Sequence, residues 1–290
     1  MAEYMISTDT SCDFPYEYVQ QHQLPLVTLF YSIDDVMGPD GSPTLENLKS
    51  FYNKMRQGAL TKTQQASIED TEKLFRTILS KGVDLLHIAF SSGLSGTANA
   101  ARLAAETLKE EFPDRKIMVV DSLCASMGQG LLVDSAIRMK EAGKSIEEVA
   151  QWLEENIPHL CHLFTVEDLK YLQRGGRISK TTALVGTMIG IKPVLHVDDA
   201  GHLIPMEKVR GRKASLDALV AHMEKDAVDP ASQTVFISHG DCRADAEYVA
   251  DLVREKFGTQ DIRIHSIGPV IGSHSGPGTV ALFYLGRTRG

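Results

Sequence analysis

Through the first half of the chain, short apolar runs are interleaved with stretches whose apolar residues recur every three to four positions. Residues 4–7, 26–31, 84–90 and 116–121 read as strands, and residues 44–55, 69–81, 97–112 and 130–142 read as amphipathic helices. Strands interleaved with helices predict an α/β fold built on a parallel sheet with helices on both faces. Helix-start chemistry fits this frame. Ser67 precedes Ile-Glu-Asp, and Ser145 is followed three residues later by Glu148, the spacing of a capping box.

Beyond a helix at 145–156 and the punctuation of Pro158 the rhythm changes. A strand is expected at 161–166, a helix from Glu167, a hairpin with its turn at 198–201, helices at 214–225 and 244–257, and strands at 234–238 and 261–267. The boundary therefore falls near residue 160, giving an N-terminal α/β domain over 1–160 and a C-terminal α/β domain over 161–290. The last apolar stretch, 280–285, is open to either sheet, including a return to the N-terminal one.

Composition narrows the class. A net charge of −8 argues against a protein whose task is to neutralise nucleic-acid phosphates. Cys12, Cys124, Cys161 and Cys242 form no Cys-x-x-Cys pair, so neither a zinc ribbon nor a thioredoxin motif can be built, and four free thiols are expected. The first residues lack a basic and then apolar leader, and no window is long enough to span a membrane, so a cytoplasmic protein is expected, with at most transient membrane contact.

In open α/β sheets ligands lie beyond the carboxyl ends of the strands. Five loops rich in glycine and hydroxyls are candidates for that position: 7–11, 61–65, 91–97, 121–128 and 271–278. In the third, Ser95 is expected at a helix N-cap, where amides and hydroxyls suit an anion, although a serine there can equally well cap its helix and nothing more. Gly93-Leu94-Ser95-Gly96-Thr97 is similar to a hydrolase nucleophile elbow, but its second glycine falls one residue early. Gly276-Pro277-Gly278-Thr279-Val280-Ala281 fits a relaxed dinucleotide pattern yet begins fifteen residues from the end of the sequence, with no room for the βαβ unit that gives the pattern meaning. No phosphate loop of the Gly-x-x-x-x-Gly-Lys type is present. His159 and His162 read as surface and core histidines, His239 as part of a strand-end turn, and His274, set among serines and glycines, as the histidine to single out. The cations Lys208, Arg210, Arg212 and Lys213 sit at an expected helix start, where the dipole mildly opposes them, which favours a docking role.

Taken in order, several blocks resemble the DegV family. They are Ser7-Thr8-Asp9-Thr10-Ser11 with Asp13, Leu94-Ser95-Gly96-Thr97, Ser126-Met127-Gly128-Gln129-Gly130, Gly175-Gly176-Arg177-Ile178-Ser179-Lys180, Lys192-Pro193-Val194-Leu195, Lys208-Val209-Arg210-Gly211-Arg212, His239-Gly240-Asp241 and His274 with Gly276-Pro277-Gly278. The resemblance spans nearly the whole chain. It implies two α/β domains with a long-chain fatty acid in a tunnel between them, and a carrier without catalytic activity or cofactor of its own. Such a carrier presents the fatty acid carboxylate to a separate ATP-binding fatty acid kinase subunit and takes back an acyl phosphate for phospholipid synthesis. Carried onto this sequence, it implies Thr63 and Ser95 at the carboxylate, Gly96, Ser126, Arg177 and His274 as a supporting network, and Arg210 and Arg212 at the partner-docking surface. The chain departs from the family at Thr63-Gln64-Gln65-Ala66-Ser67, where Thr-Ser-Gln-Pro-Ser is usual. A serine hydrolase acting on acyl esters and a fatty acid sensor are the alternative readings.

Overall fold

The computed structural model describes residues 3–41, 44–179 and 190–289. Its first sheet is parallel throughout, in the order β2 (Leu26–Val27), β1 (Tyr4–Asp9), β6 (Asp84–Ala89), β7 (Ile117–Asp121). A small antiparallel sheet joins β4 (Val36–Pro39), β3 (Phe30–Ile33) and β5 (Thr61–Gln64). The third sheet has six strands in the order β10 (Leu203–Arg210), β9 (Ile191–Val197), β8 (Leu160–Thr165), β13 (Val280–Leu285), β11 (Val235–His239), β12 (Ile262–Ser266). It is antiparallel except between β11 and β12.

Helices fill the space around and between the sheets. α1 (Tyr16–Gln21) sets Tyr18 and Val19 against the core that includes Ile6 and Ile88 of the parallel sheet, and Phe51 and Tyr52 of α2 (Leu45–Arg56) pack with Tyr31 and Ile33 of the small sheet. On one face of the parallel sheet, Phe75, Ile78 and Leu79 of α3 (Ile68–Leu79) and Ala101, Ala104 and Leu108 of α4 (Thr97–Glu111) bury against Leu85. The other face meets α5 (Met127–Glu141) and α6 (Ile146–Asn156), whose Leu132, Val133, Val149 and Leu153 share one core with Leu86, Ile88, Phe164, Phe236 and Phe283. Helix α5 is buried from Met127 through Asp134, as a helix must be when it is covered on two sides by different sheets. Outside the six-stranded sheet, α8 (Arg212–Asp226) and α9 (Arg243–Phe257) cover Leu163, Ile237 and Leu282. The short α7 (Lys170–Arg174) and α10 (Pro269–Ser275) pack on each other. None of the described helices is long and apolar enough to cross a membrane.

Several expectations change. The segment 26–31 is not one strand: Val27 pairs with Asp9 in the parallel sheet, whereas Phe30 pairs with Gln64 in the antiparallel one. Residues 61–64 are a strand rather than a loop, with Thr61 buried, Lys62 exposed, Thr63 half-buried and Gln64 exposed. Part of the stretch 271–278 is helical, because Pro269 at the first helical position starts α10. The last strand inserts between β8 and β11 in the six-stranded sheet and does not return to the parallel one.

Candidate ligand site

A cavity of about 640 Å³ lies where the parallel-sheet half faces the six-stranded half. That volume falls within the range of about 300–1,000 Å³ usual for small-molecule sites. Its walls are largely apolar, with Leu29, Phe90 and Leu94 from the first half and Phe164, Leu172, Leu203, Val270 and Ile271 from the second. The halves are stitched together beside it, since Ser91 donates from its hydroxyl to the Gly201 carbonyl at 2.9 Å, across to the β9–β10 turn.

Polar groups gather along one part of the wall. Pairing of β3 with β5 sets Thr63 opposite Tyr31, and the Thr63 hydroxyl hydrogen-bonds His274 Nε2 at 2.7 Å. Burial pushes the His274 imidazole down to about 3, with the Arg177 and Arg174 cations adding to the shift, so the ring is neutral at physiological pH. Its Nδ1 is buried and has no partner among the described residues. Ser95 lies just before α4, where its hydroxyl bonds Thr97 Oγ1 at 2.9 Å and accepts from the Thr97 amide at 3.3 Å. The N-cap is Gly96, one residue later than the sequence suggests, which leaves Ser95 on the cavity wall ahead of the helix. Arg177 donates from Nε and Nη2 to the Leu94 carbonyl at 3.2 and 3.0 Å, tying its segment to the Ser95 loop. Desolvation weakens the hold of this guanidinium on its proton without bringing it near neutrality. Ser126 is buried at the start of α5 and donates to Asp13 Oδ2 at 2.5 Å.

Thr63, Ser95, Gly96, Ser126, Arg177 and His274 therefore all line one cavity. Arg210 and Arg212 do not. Arg210 is exposed at the end of β10, whereas Arg212 is held internally by Asp245 at 2.7 Å and by the Gly278 carbonyl at 2.6 Å. Lys180 of the Gly-Gly-Arg-Ile-Ser-Lys block lies outside the described residues. His274 bonds Thr63 and not Ser95, so the serine–histidine pair that a hydrolase needs is not formed. Sequence reasoning missed His162, which lines the cavity together with Phe164. The signal was available, because residues two apart on a strand share a face and both lie on β8.

Fold and site together define an α/β protein with a cavity, largely apolar with a polar patch, between two sheet-based halves. The chain belongs to the DegV family: the family model described as "Uncharacterised protein, DegV family" matches residues 3–287. A DegV domain-containing protein of Clostridium perfringens is 45% identical over 289 residues, covering 100% of this chain and 99% of its own. Among solved structures, a hypothetical protein from Thermotoga maritima that "reveals fatty acid binding function" superposes with a TM-score of 0.85 at 30% identity, covering 98% and 99% of the two chains. The Fatty Acid Kinase (Fak) B3 protein of Streptococcus pneumoniae, solved loaded with linoleic acid, shares the fold at a TM-score of 0.85 and 24% identity, covering 98% and 99%.

Proposed function

We propose that this protein binds one long-chain fatty acid in the cavity and presents its carboxylate to a separate ATP-dependent kinase subunit, acting as a carrier of fatty acid and acyl phosphate rather than as an enzyme. The observation that carries this reading is the asymmetry of the cavity, whose apolar walls lead to a polar patch where the Thr63 hydroxyl bonds the neutral His274. Thr63 and Ser95 hold the carboxylate, with Gly96, Ser126, Arg177 and His274 supporting them. Hydroxyl donors suit transfer chemistry, because they orient a carboxylate without the strong ion pair that would resist its conversion to a neutral or phosphorylated form. Burial of about fourteen methylenes at ~0.8 kcal/mol each supplies roughly 11 kcal/mol before ordering costs, so the tail dominates affinity and the headgroup governs positioning. An enclosed site also shields an acyl phosphate from water. The fatty acid binding printed for the 30% identical Thermotoga maritima structure supports the ligand class, and the fold shared with a protein named for fatty acid kinase supports the partner.

Native mass spectrometry of the purified protein should find one co-purified fatty acid per chain. In a reconstituted assay with a kinase subunit and ATP, Thr63→Ala and Ser95→Ala should each slow acyl-phosphate formation about tenfold or more, the loss of a hydrogen bond to a charged group being worth about 1.5–3 kcal/mol. Unchanged turnover in both variants refutes the headgroup assignment. Docking rests on Arg210, since Arg212 is engaged within the fold. Arg210→Glu should weaken association with the kinase subunit and leave fatty acid affinity unaltered.

A further inference from the structure

One polar side chain on the cavity wall stands apart from the headgroup cluster. His162 lies on β8 and is 4% exposed, on a wall it shares with Phe164, Leu203 and Ala281. Strand register sets it opposite Phe283, whose ring lies 4.6 Å from its own, and the Phe164 ring lies 5.7 Å away. The hydrogen bonds around Thr63, Ser95, Arg177 and His274 do not reach it, so it has no part in holding the proposed carboxylate.

Neither ring nitrogen of His162 takes a hydrogen bond among the described residues. Nδ1 is sealed within the protein, whereas Nε2 is not, which leaves Nε2 as the atom that a ligand in the cavity can reach. Burial lowers the imidazole to about 3, so the ring is neutral and offers Nε2 either as an N–H donor or as a lone-pair acceptor. A buried polar group without a partner is costly, and a tail made only of methylenes laid against it leaves that cost in place. A buried water is a poor substitute, because it needs about two to four polar partners. The side chains of Phe164, Leu203 and Ala281 offer it none.

We propose that the preferred ligand of this cavity is a fatty acid carrying a hydroxyl partway along its chain, with that hydroxyl hydrogen-bonded to His162 Nε2. The inference rests on the fatty acid reading of the same cavity and adds to it the chemistry of the tail. A hydroxyl both donates and accepts, so it meets Nε2 in either tautomer, whereas a keto oxygen meets only the protonated one. Phe164 and Leu203 on the same wall suit the methylenes that flank the hydroxyl. A site that pairs with a substrate hydroxyl rejects the analogue lacking it, because the protein's own polar atom is then left unpaired.

Titration calorimetry on delipidated protein, with stearic acid and with its 10-hydroxy and 12-hydroxy derivatives, tests this directly. At least one hydroxy acid should bind about tenfold more tightly than stearic acid. His162→Phe, which keeps an aromatic ring against Phe283, should erase that advantage while still binding stearic acid. Nitrogen NMR of the wild-type histidines serves even if the variant fails to fold: the His162 Nε2 resonance should move with the favoured hydroxy acid well beyond its change with stearic acid. No advantage for either hydroxy acid, an advantage that survives in His162→Phe, or an Nε2 resonance that responds alike to both kinds of ligand would overturn the inference and leave fatty acid binding standing. Failure to bind any of the three acids would instead overturn the fatty acid reading, and the inference with it.

Discussion

At His274 the physical state of one side chain decides what the polar end of the cavity can do. The ring is displaced far below the ordinary histidine range by burial, so it meets Thr63 as a neutral donor or acceptor and adds no charge beside the proposed carboxylate. Its NMR signals should accordingly stay flat between pH 5 and 8, where an exposed histidine titrates; a midpoint near 6.5 would place the ring in water instead. The cysteines follow the same logic. Burial raises all four thiols, Cys242 to about 12 and Cys12 well above its ordinary value, so almost no thiolate is present at neutral pH. In the native protein Ellman's reagent should leave all four largely unmodified over minutes, and it should titrate four after denaturation.

The helices and strands show where a one-dimensional pattern carries enough information. Helix α6, with its Ser145–Glu148 capping box, was legible because its signals are local. The strand β5 was not. Thr-Lys-Thr-Gln is too polar to announce burial, and only its pairing with β3 makes Thr61 an inner residue and aims Thr63 at His274. The cavity residues Ser95 and His274 could be singled out by their neighbours in sequence, but the hydrogen bond between His274 and Thr63 joins positions 211 apart, and no spacing rule reaches that far. At α5, tertiary packing also reverses a propensity. Replacing a helix glycine by alanine ordinarily stabilises by about 1 kcal/mol. At Gly128 the added Cβ would stand 2.9 Å from the Phe283 ring, a contact that packing cannot absorb without movement. Gly128→Ala should therefore destabilise by about 1–3 kcal/mol, read as a lower midpoint in urea.

Across the whole molecule, two sets of buried groups pull stability in opposite directions with pH. His87, His162 and His274 are lowered to about 3, and His239 and His265 to about 4, so below about pH 6.5 the unfolded chain takes up protons that the folded chain refuses. Asp9, Asp13 and Asp40 are raised by burial, Asp13 to about 7, so the folded chain keeps protons there that the unfolded chain has released, and the Asp13 contribution is lost as pH rises from about 4 through 7. Five histidines outnumber three carboxyls, so between about pH 4.5 and 6 the unfolded chain binds more protons overall. Thermal stability should then rise across that window, and Asp13→Asn should steepen the rise by removing an opposing contribution; a fall in stability between about pH 4.5 and 6 would contradict this balance. Helix α5 adds a constraint of another kind. One helix supplies the core to both the parallel and the six-stranded sheet, so neither half owns a complete interior. A fragment beginning at Leu160 would bare Phe164, Phe236 and Phe283 along a whole sheet face, and the two halves are bound to melt together as a single cooperative unit, not as independently folding modules.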